Sequence, residues 1–139
     1  MKNHDTRPTV LLADDHAKML ESVAKLLSQK FRVVGTVSDG QPVLDAAKEL
    51  KPDLIIMDIA MPNLDGLKTA HKLRQLKLKA KIVFFTVNED EDYVSAALAA
   101  GASGYVLKSR LHSDLIPALK DVLAGGIFIS CHSKNQKDE

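Results

Sequence analysis

Asp14, Asp15, Asp58, Thr86 and Lys108 all stand where a short apolar run stops. "TVLLA" runs into Asp14-Asp15, "LIIM" into Asp58, "KIVFF" into Thr86 and "GYVL" into Lys108. A carboxylate at the rim of a core costs free energy unless a partner or a task compensates for it. Three acids brought to one rim would repel one another unless a cation sat among them. Hard oxygen donors suit Mg²⁺, which commonly takes one or two carboxylates and then a phosphate. An ammonium on the same rim adds positive charge for a phosphoryl group. The chemistry these residue types support is therefore phosphoryl transfer with Asp58 as a carboxylate nucleophile. Thr86 would hydrogen-bond one phosphoryl oxygen and Lys108 would pair with another, with charge on the phosphoryl group neutralised by the metal.

Each residue also has an ordinary reading. Asp15 caps a helix that begins near His16. Asp58 caps a turn before Pro62. Thr86 is a β-branched strand residue, and Lys108 is a solvated strand end. These readings weaken when all five residues are taken together, because they do not explain why the acids converge.

The elements that must position these residues alternate along the chain. "TVLLA", "FRVVGTV", "DLIIM", "KIVFFTV" and "GYVLK" read as strands, the first a continuous apolar run suited to burial on both faces. Between them lie stretches with helical spacing. Met19, Leu20, Val23, Leu26 and Leu27 recur in the first; "QPVLDAAKEL" carries Pro42 in its first turn. Leu67 to Leu76 has a basic wet face, and "EDYVSAALAAG" closes on Gly101. The last helix is expected to put Leu115, Ile116, Leu119, Val122 and Leu123 on one face and to end at Gly125-Gly126. Five such βα units predict a parallel sheet with helices on both faces. In sheets of that kind ligands bind outside the carboxyl ends of the strands.

The 139 residues suffice for one domain with a real core, and the charges nearly balance at +1. That balance, with 4% aromatics and no Trp, argues against nucleic-acid or membrane binding through bulk charge or stacking. The single cysteine, Cys131, permits no intrachain disulfide and fits a reducing cytoplasm. No apolar run approaches the ~20 residues of a membrane span. "MKNHDTRP" reads as a polar tail without a signal-peptide core, and "CHSKNQKDE" as a tail or the start of a linker.

"LLADDH", "MDIAMPNLDG", "VFFTV" and "GYVLK", in that order on the βα rhythm, resemble the receiver domain of bacterial two-component response regulators. The likeness covers about Thr9 to Ser130, so residues 1–8 and 131–139 are expected to be tails around a receiver at 9–130. The resemblance implies a CheY-like, flavodoxin-like fold: a doubly wound five-stranded parallel sheet of order 2-1-3-4-5 with five helices. It implies that Asp58 accepts a phosphoryl group from a phosphohistidine on a sensor histidine kinase or phosphotransfer protein. Mg²⁺ or Mn²⁺ would be held by Asp15 directly, by Asp14 through water, by Asp58 and by the backbone carbonyl of Ala60. Met61-Pro62 and Asp65-Gly66 would shape the loop carrying that carbonyl. Thr86 and Lys108 would bind and report the phosphoryl group, and Tyr105 would swing inward as Thr86 moves.

"ALKDVLAGGIFIS" is similar to receivers of the NarL/FixJ, LuxR-type class, which precede a helix-turn-helix output domain. The chain would then be a free-standing receiver or a piece of a longer regulator, with DNA contacted only through the output domain. The side chains at Ala60 and Asn88 leave the lifetime of the phosphoryl group open. The five histidines show no metal-ligand spacing, so the donor histidine must come from a partner. The face built by the fourth helix, fifth strand and fifth helix, with Tyr105, Lys108, Ser109, Arg110 and the surroundings of Lys120, is the expected output and homodimer surface. Two readings compete: a phosphorylation-independent binding module, and a Mg²⁺-dependent phosphatase or nuclease. The enzyme would need a lid or second domain that no long insertion supplies.

Overall fold

The structure is a computed structural model and describes residues 5–39, 42–61 and 64–130. Cys131, the tail after it and Pro62 lie outside the described residues.

The chain opens with β1 (Thr9–Ala13), α1 (Ala17–Leu27) and β2 (Arg32–Val37). They are followed by α2 (Val43–Leu50) and β3 (Leu54–Met57). A two-residue hairpin, β4 (Ala60–Met61) and β5 (Leu64–Asp65), then leads into α3 (Gly66–Gln75). The remainder is β6 (Lys81–Thr86), α4 (Glu91–Ala99), β7 (Gly104–Leu107), a 3₁₀ turn (Lys108–Arg110), α5 (Leu111–Leu123) and β8 (Phe128–Ile129).

The main sheet is parallel, with order β2-β1-β3-β6-β7-β8. The first five strands in that list follow the expected 2-1-3-4-5. The expectation of five strands is corrected by β8, which pairs Phe128 with Gly104 and Ile129 with Tyr105. Two residues are too short to register as a periodic pattern, so only backbone pairing reveals that strand. The turn that delivers it uses Gly125 at φ 98°, a left-handed conformation open to glycine without steric cost. The β4–β5 hairpin escapes sequence patterning for the same reason of length.

Alternation along the strands splits the core into two layers. Leu11, Ile55, Met57, Ile82, Phe84 and Tyr105 face α2, α3 and α4. Val10, Leu12, Ile56, Val83, Phe85 and Val106 face α1 and α5. Burial on both faces explains why these strands are apolar without a polar alternate. On α5, Leu115, Leu119 and Val122 are fully buried, but Leu123 is exposed. Leu123 sits about 100° around the helix from Val122, past the edge of the buried stripe.

Chain order reverses across β1 and β3, so the carboxyl ends of these adjacent strands flank a crevice. Register locks them together at that end: Ala13 pairs with Met57, and the Asp58 N–H donates to the Ala13 carbonyl at 3.1 Å. Asp14 and Asp58 are thereby neighbours by backbone geometry.

Candidate functional site

Lys108 organises the rim. It begins the 3₁₀ turn after β7, and its side chain is only 7% exposed. Nζ donates to Asp58 Oδ2 at 2.9 Å and lies 2.7 Å from Asp14 Oδ2. The ammonium also stands 5.7 Å from the centre of the Phe85 ring, a cation–π distance. Burial works against its charge, but Asp14 and Asp58 more than offset that cost and hold the Lys108 pKa above the ordinary lysine value. The solvated strand-end reading of Lys108 is thus overturned.

One ammonium faces three carboxylates, which leaves the rim with excess negative charge. Asp14, Asp15, His16 and Asp58 each present a ligand atom, and these atoms lie within 4.8 Å of one another. Asp14 Oδ2 is buried and makes no directed hydrogen bond, its contact with Lys108 being an ion pair off the bonding direction. A buried carboxylate oxygen without a directed hydrogen bond, beside two further carboxylates, is a donor set that fits a hard divalent cation. Asp15 does not cap α1: the cap position is His16, whose own side chain makes no capping bond. Asp14 Oδ1 instead accepts from the His16 N–H at 2.9 Å. Asp58 Oδ1 accepts from the Ala60 N–H at 3.4 Å, a long contact that leaves this oxygen lightly held.

Thr86 ends β6, buried on the same rim. Its Oγ1 accepts from the Asn88 N–H at 3.2 Å. Asn88 Oδ1 accepts from the Asp90 N–H at 2.8 Å, and Asp90 Oδ1 caps α4 by accepting from Asp92 N–H at 2.8 Å. The Tyr105 hydroxyl donates to the Asn88 carbonyl at 2.8 Å. Tyr105 is 1% exposed and already turned into the core, so it does not form part of the open surface, and neither does Lys108. Ser109 and Lys120 are the exposed members of the expected face. Burial, with Asp90 and Asp58 nearby, pushes the Tyr105 phenol up to about 12.

The loop after Asp58 returns through Gly66, whose N–H donates to the Ile59 carbonyl at 2.7 Å. A Cβ at Gly66 would meet Ile59 O at 2.5 Å and Ile59 Cα at 2.8 Å. Asp65 then caps α3, its Oδ1 accepting from the Leu67 and Lys68 N–H groups at 3.0 and 3.2 Å. The β4–β5 hairpin so formed carries the Ala60 carbonyl.

A family profile described as the response regulator receiver domain matches residues 10–120. The chain belongs to this family. The receiver is 41% identical over 124 residues to the nitrate/nitrite response regulator protein NarL of Escherichia coli K12, covering 88% of this chain and 57% of that protein. It is 34% identical over 128 residues to the transcriptional regulatory protein DegU of Brevibacillus brevis, covering 91% and 54%. It spans little more than half the length of these relatives. Among solved structures, a LuxR-family two-component response regulator from Aurantimonas sp. SI85-9A1 superposes with a TM-score of 0.85 at 30% identity, covering 90% of this chain and 91% of that one. The isolated receiver domain of RcsB from Salmonella enterica serovar Typhimurium, solved with the phosphomimetic BeF₃⁻, gives 0.82 at 27%, covering 90% and 94%. The receiver is of the NarL/LuxR class.

Of two further residues at the receiver's rim, His16 was given no role by sequence reasoning, and Asn88 was read only for its bearing on phosphoryl lifetime. His16 is brought to the acids by the turn into α1, with Nδ1 3.0 Å from Asp14 Oδ1 and 3.2 Å from Asp15 Oδ1. Ligand spacing in the sequence could not have found it. Asn88 is the joint between Thr86, Tyr105 and α4. Its signal was local: an Asn two residues before a helix-capping Asp is a turn former that bonds its own backbone two residues on.

Two predictions follow from this geometry. Gly66→Ala forces the new methyl against the Ile59 backbone, and we expect a loss of roughly 1–3 kcal/mol in urea unfolding, as for other overpacked sites. Tyr105 keeps its proton in the folded state to about pH 12, against 10.0 for an unperturbed phenol. Its contribution to stability is present in full below pH 10 and is lost as pH rises through about 12. Thermal unfolding of wild type should therefore fall more steeply over that window than unfolding of Tyr105→Phe.

Proposed function

We propose that this receiver is a phosphoacceptor switch in which Asp58 takes a phosphoryl group from a phosphohistidine of a sensor histidine kinase or phosphotransfer protein. The observation that carries the reading is Asp58 at the end of a central strand, bonded to Lys108 beside Asp14 and Asp15. A bond forms between an Asp58 carboxylate oxygen and phosphorus as the phosphorus–nitrogen bond breaks. The imidazole leaves with the electron pair and takes up a proton. Asp14, Asp15, Asp58 and the Ala60 carbonyl would hold Mg²⁺ or Mn²⁺. When bound, the ion supplies positive charge against the phosphoryl oxygens.

Lys108 exchanges its contact with Asp58 for a phosphoryl oxygen, keeping its charge within the site. The Thr86 hydroxyl, which already accepts from Asn88, is free to donate its own proton to a second phosphoryl oxygen. Moving Thr86 pulls on Asn88, and so on the Tyr105 hydroxyl and the start of α4. The α4–β7–α5 face changes with it. That face would control an output domain, in keeping with transcriptional regulators among the relatives, or pair two receivers. We take residues 9–130 as the receiver unit and the cytoplasm as its compartment. No helix among the described residues is long and apolar enough to cross a membrane.

The deciding experiment is intact mass after incubation with Mg²⁺ and acetyl phosphate. We expect wild type to gain one phosphoryl mass, and Asp58→Asn or chelator-treated protein to gain none. No gain in wild type would move the reading to a phosphorylation-independent module, and steady release of phosphate from simple phosphoesters would favour a phosphatase. In sedimentation velocity over a concentration series, beryllofluoride should shift the receiver from monomer towards dimer. An unchanged monomer would remove the pairing from this proposal.

A further inference from the structure

Lys108 can serve the site only if the turn that bears it is held still, and the structure has a separate device at that place. On one side of Lys108, the Leu107 N–H donates to Ser130 Oγ at 3.1 Å. The Ser130 hydroxyl donates in turn to Asp114 Oδ2 at 2.7 Å. On the other side of Lys108, Arg110 Nε donates to the same Oδ2 at 2.8 Å. Ser113 Oγ donates to Asp114 Oδ1 at 2.9 Å. Residues before and after Lys108 are thus tied to one carboxylate.

That carboxylate is 7% exposed and Ser130 is 8% exposed. Neither belongs to the acidic rim. β8 delivers Ser130 there, and the Ser130 N–H donates to the Tyr105 carbonyl at 2.8 Å. β8 pairs only as far as Tyr105, two residues short of Leu107, so the hydroxyl replaces a ladder partner for a buried N–H. Burial raises the pKa of Asp114, yet the Arg110, Ser130 and Ser113 bonds more than offset it and leave the group below the ordinary carboxylate value. An ionised, fully bonded carboxylate makes a stiff anchor.

We propose that Asp114 and Ser130 are positioning residues for Lys108, clamping the Leu107–Arg110 turn so that the ammonium stays aimed at Asp58. This rests on the phosphoacceptor reading for its consequence but not for its geometry. Without the clamp the turn loosens and Nζ samples positions away from the rim. Misplacement of a catalytic group by about 1 Å can cost up to 10²-fold in rate, so a partial loosening should cost on the order of tenfold.

The test compares wild type with Ser130→Ala, Ser130→Thr and Asp114→Asn, following phosphorylation by acetyl phosphate together with NMR of the Lys108 ε-methylene and the core methyl groups. We expect Ser130→Ala and Asp114→Asn to keep native core methyl signals. Their Lys108 ε-methylene signals should move towards those of exposed lysines, and Asp58 should be phosphorylated about tenfold more slowly. Ser130→Thr, which retains the hydroxyl, should restore both. Unmoved Lys108 signals, or unchanged rates in both weakened variants, would overturn the inference and leave the cluster a stabiliser of β8 alone. Should Ser130→Ala lose the native core signals, Asp114→Asn decides, because its amide oxygen still accepts one bond. If wild type takes no phosphoryl group, the phosphoacceptor reading fails separately and the Lys108 signals still judge the clamp.

Discussion

The structure turns on one buried ammonium held among carboxylates. Asp14 and Asp58 are brought side by side by strand register, and two such groups in a partly desolvated place repel strongly. Lys108 reaches both from β7, two strands from β3 across the sheet. Removing water from the lysine is costly, and only the acids make it tolerable. The ion pairs therefore couple the central strands to the β7 end of the sheet. They also leave the rim with more carboxylates than ammonium groups, a setting that fits a hard divalent cation.

Two core layers carry this arrangement. Because the strands are buried on both faces, their ends cannot drift without disturbing packing against helices on either side. The rim is rigid where Asp14 and Asp58 leave the sheet. It is less tied to the sheet where Thr86 leaves it, since that residue hands over to a loop before α4, whereas the turn bearing Lys108 is held by Ser130 and Asp114. The bonds from Thr86 through Asn88 to Tyr105 and α4 join a small polar site to a large helical surface. A new charge at Asp58 would bias packing at a distance through such contacts.

Much of this was legible in the residues. The period of the apolar runs foretold the βα alternation, and the position of each polar group at the end of a run foretold the rim. Asp14, Asp15, Asp58 and Lys108 do converge, and Thr86 ends its strand as read. What escaped was short or made by distant partners. β8 has two residues, the β4–β5 hairpin four, and neither length can express a period. The inward setting of Tyr105 depends on the Asn88 carbonyl accepting from its hydroxyl.

The sequence by itself determined which residues are apolar at which spacing, hence the elements, the layering and the identity of the groups at the strand ends. Those follow from local chain geometry, in which side-chain direction repeats every two or 3.6 residues. Tertiary structure alone decided that Lys108 is buried between two acids, that His16 joins them, and that Ser130 reaches Asp114 across the β7 end. Those contacts join residues from 16 to 94 positions apart, apart from the local turn at His16. Their energies arise from desolvation and charge proximity, which exist only once the sheet has brought the strand ends together.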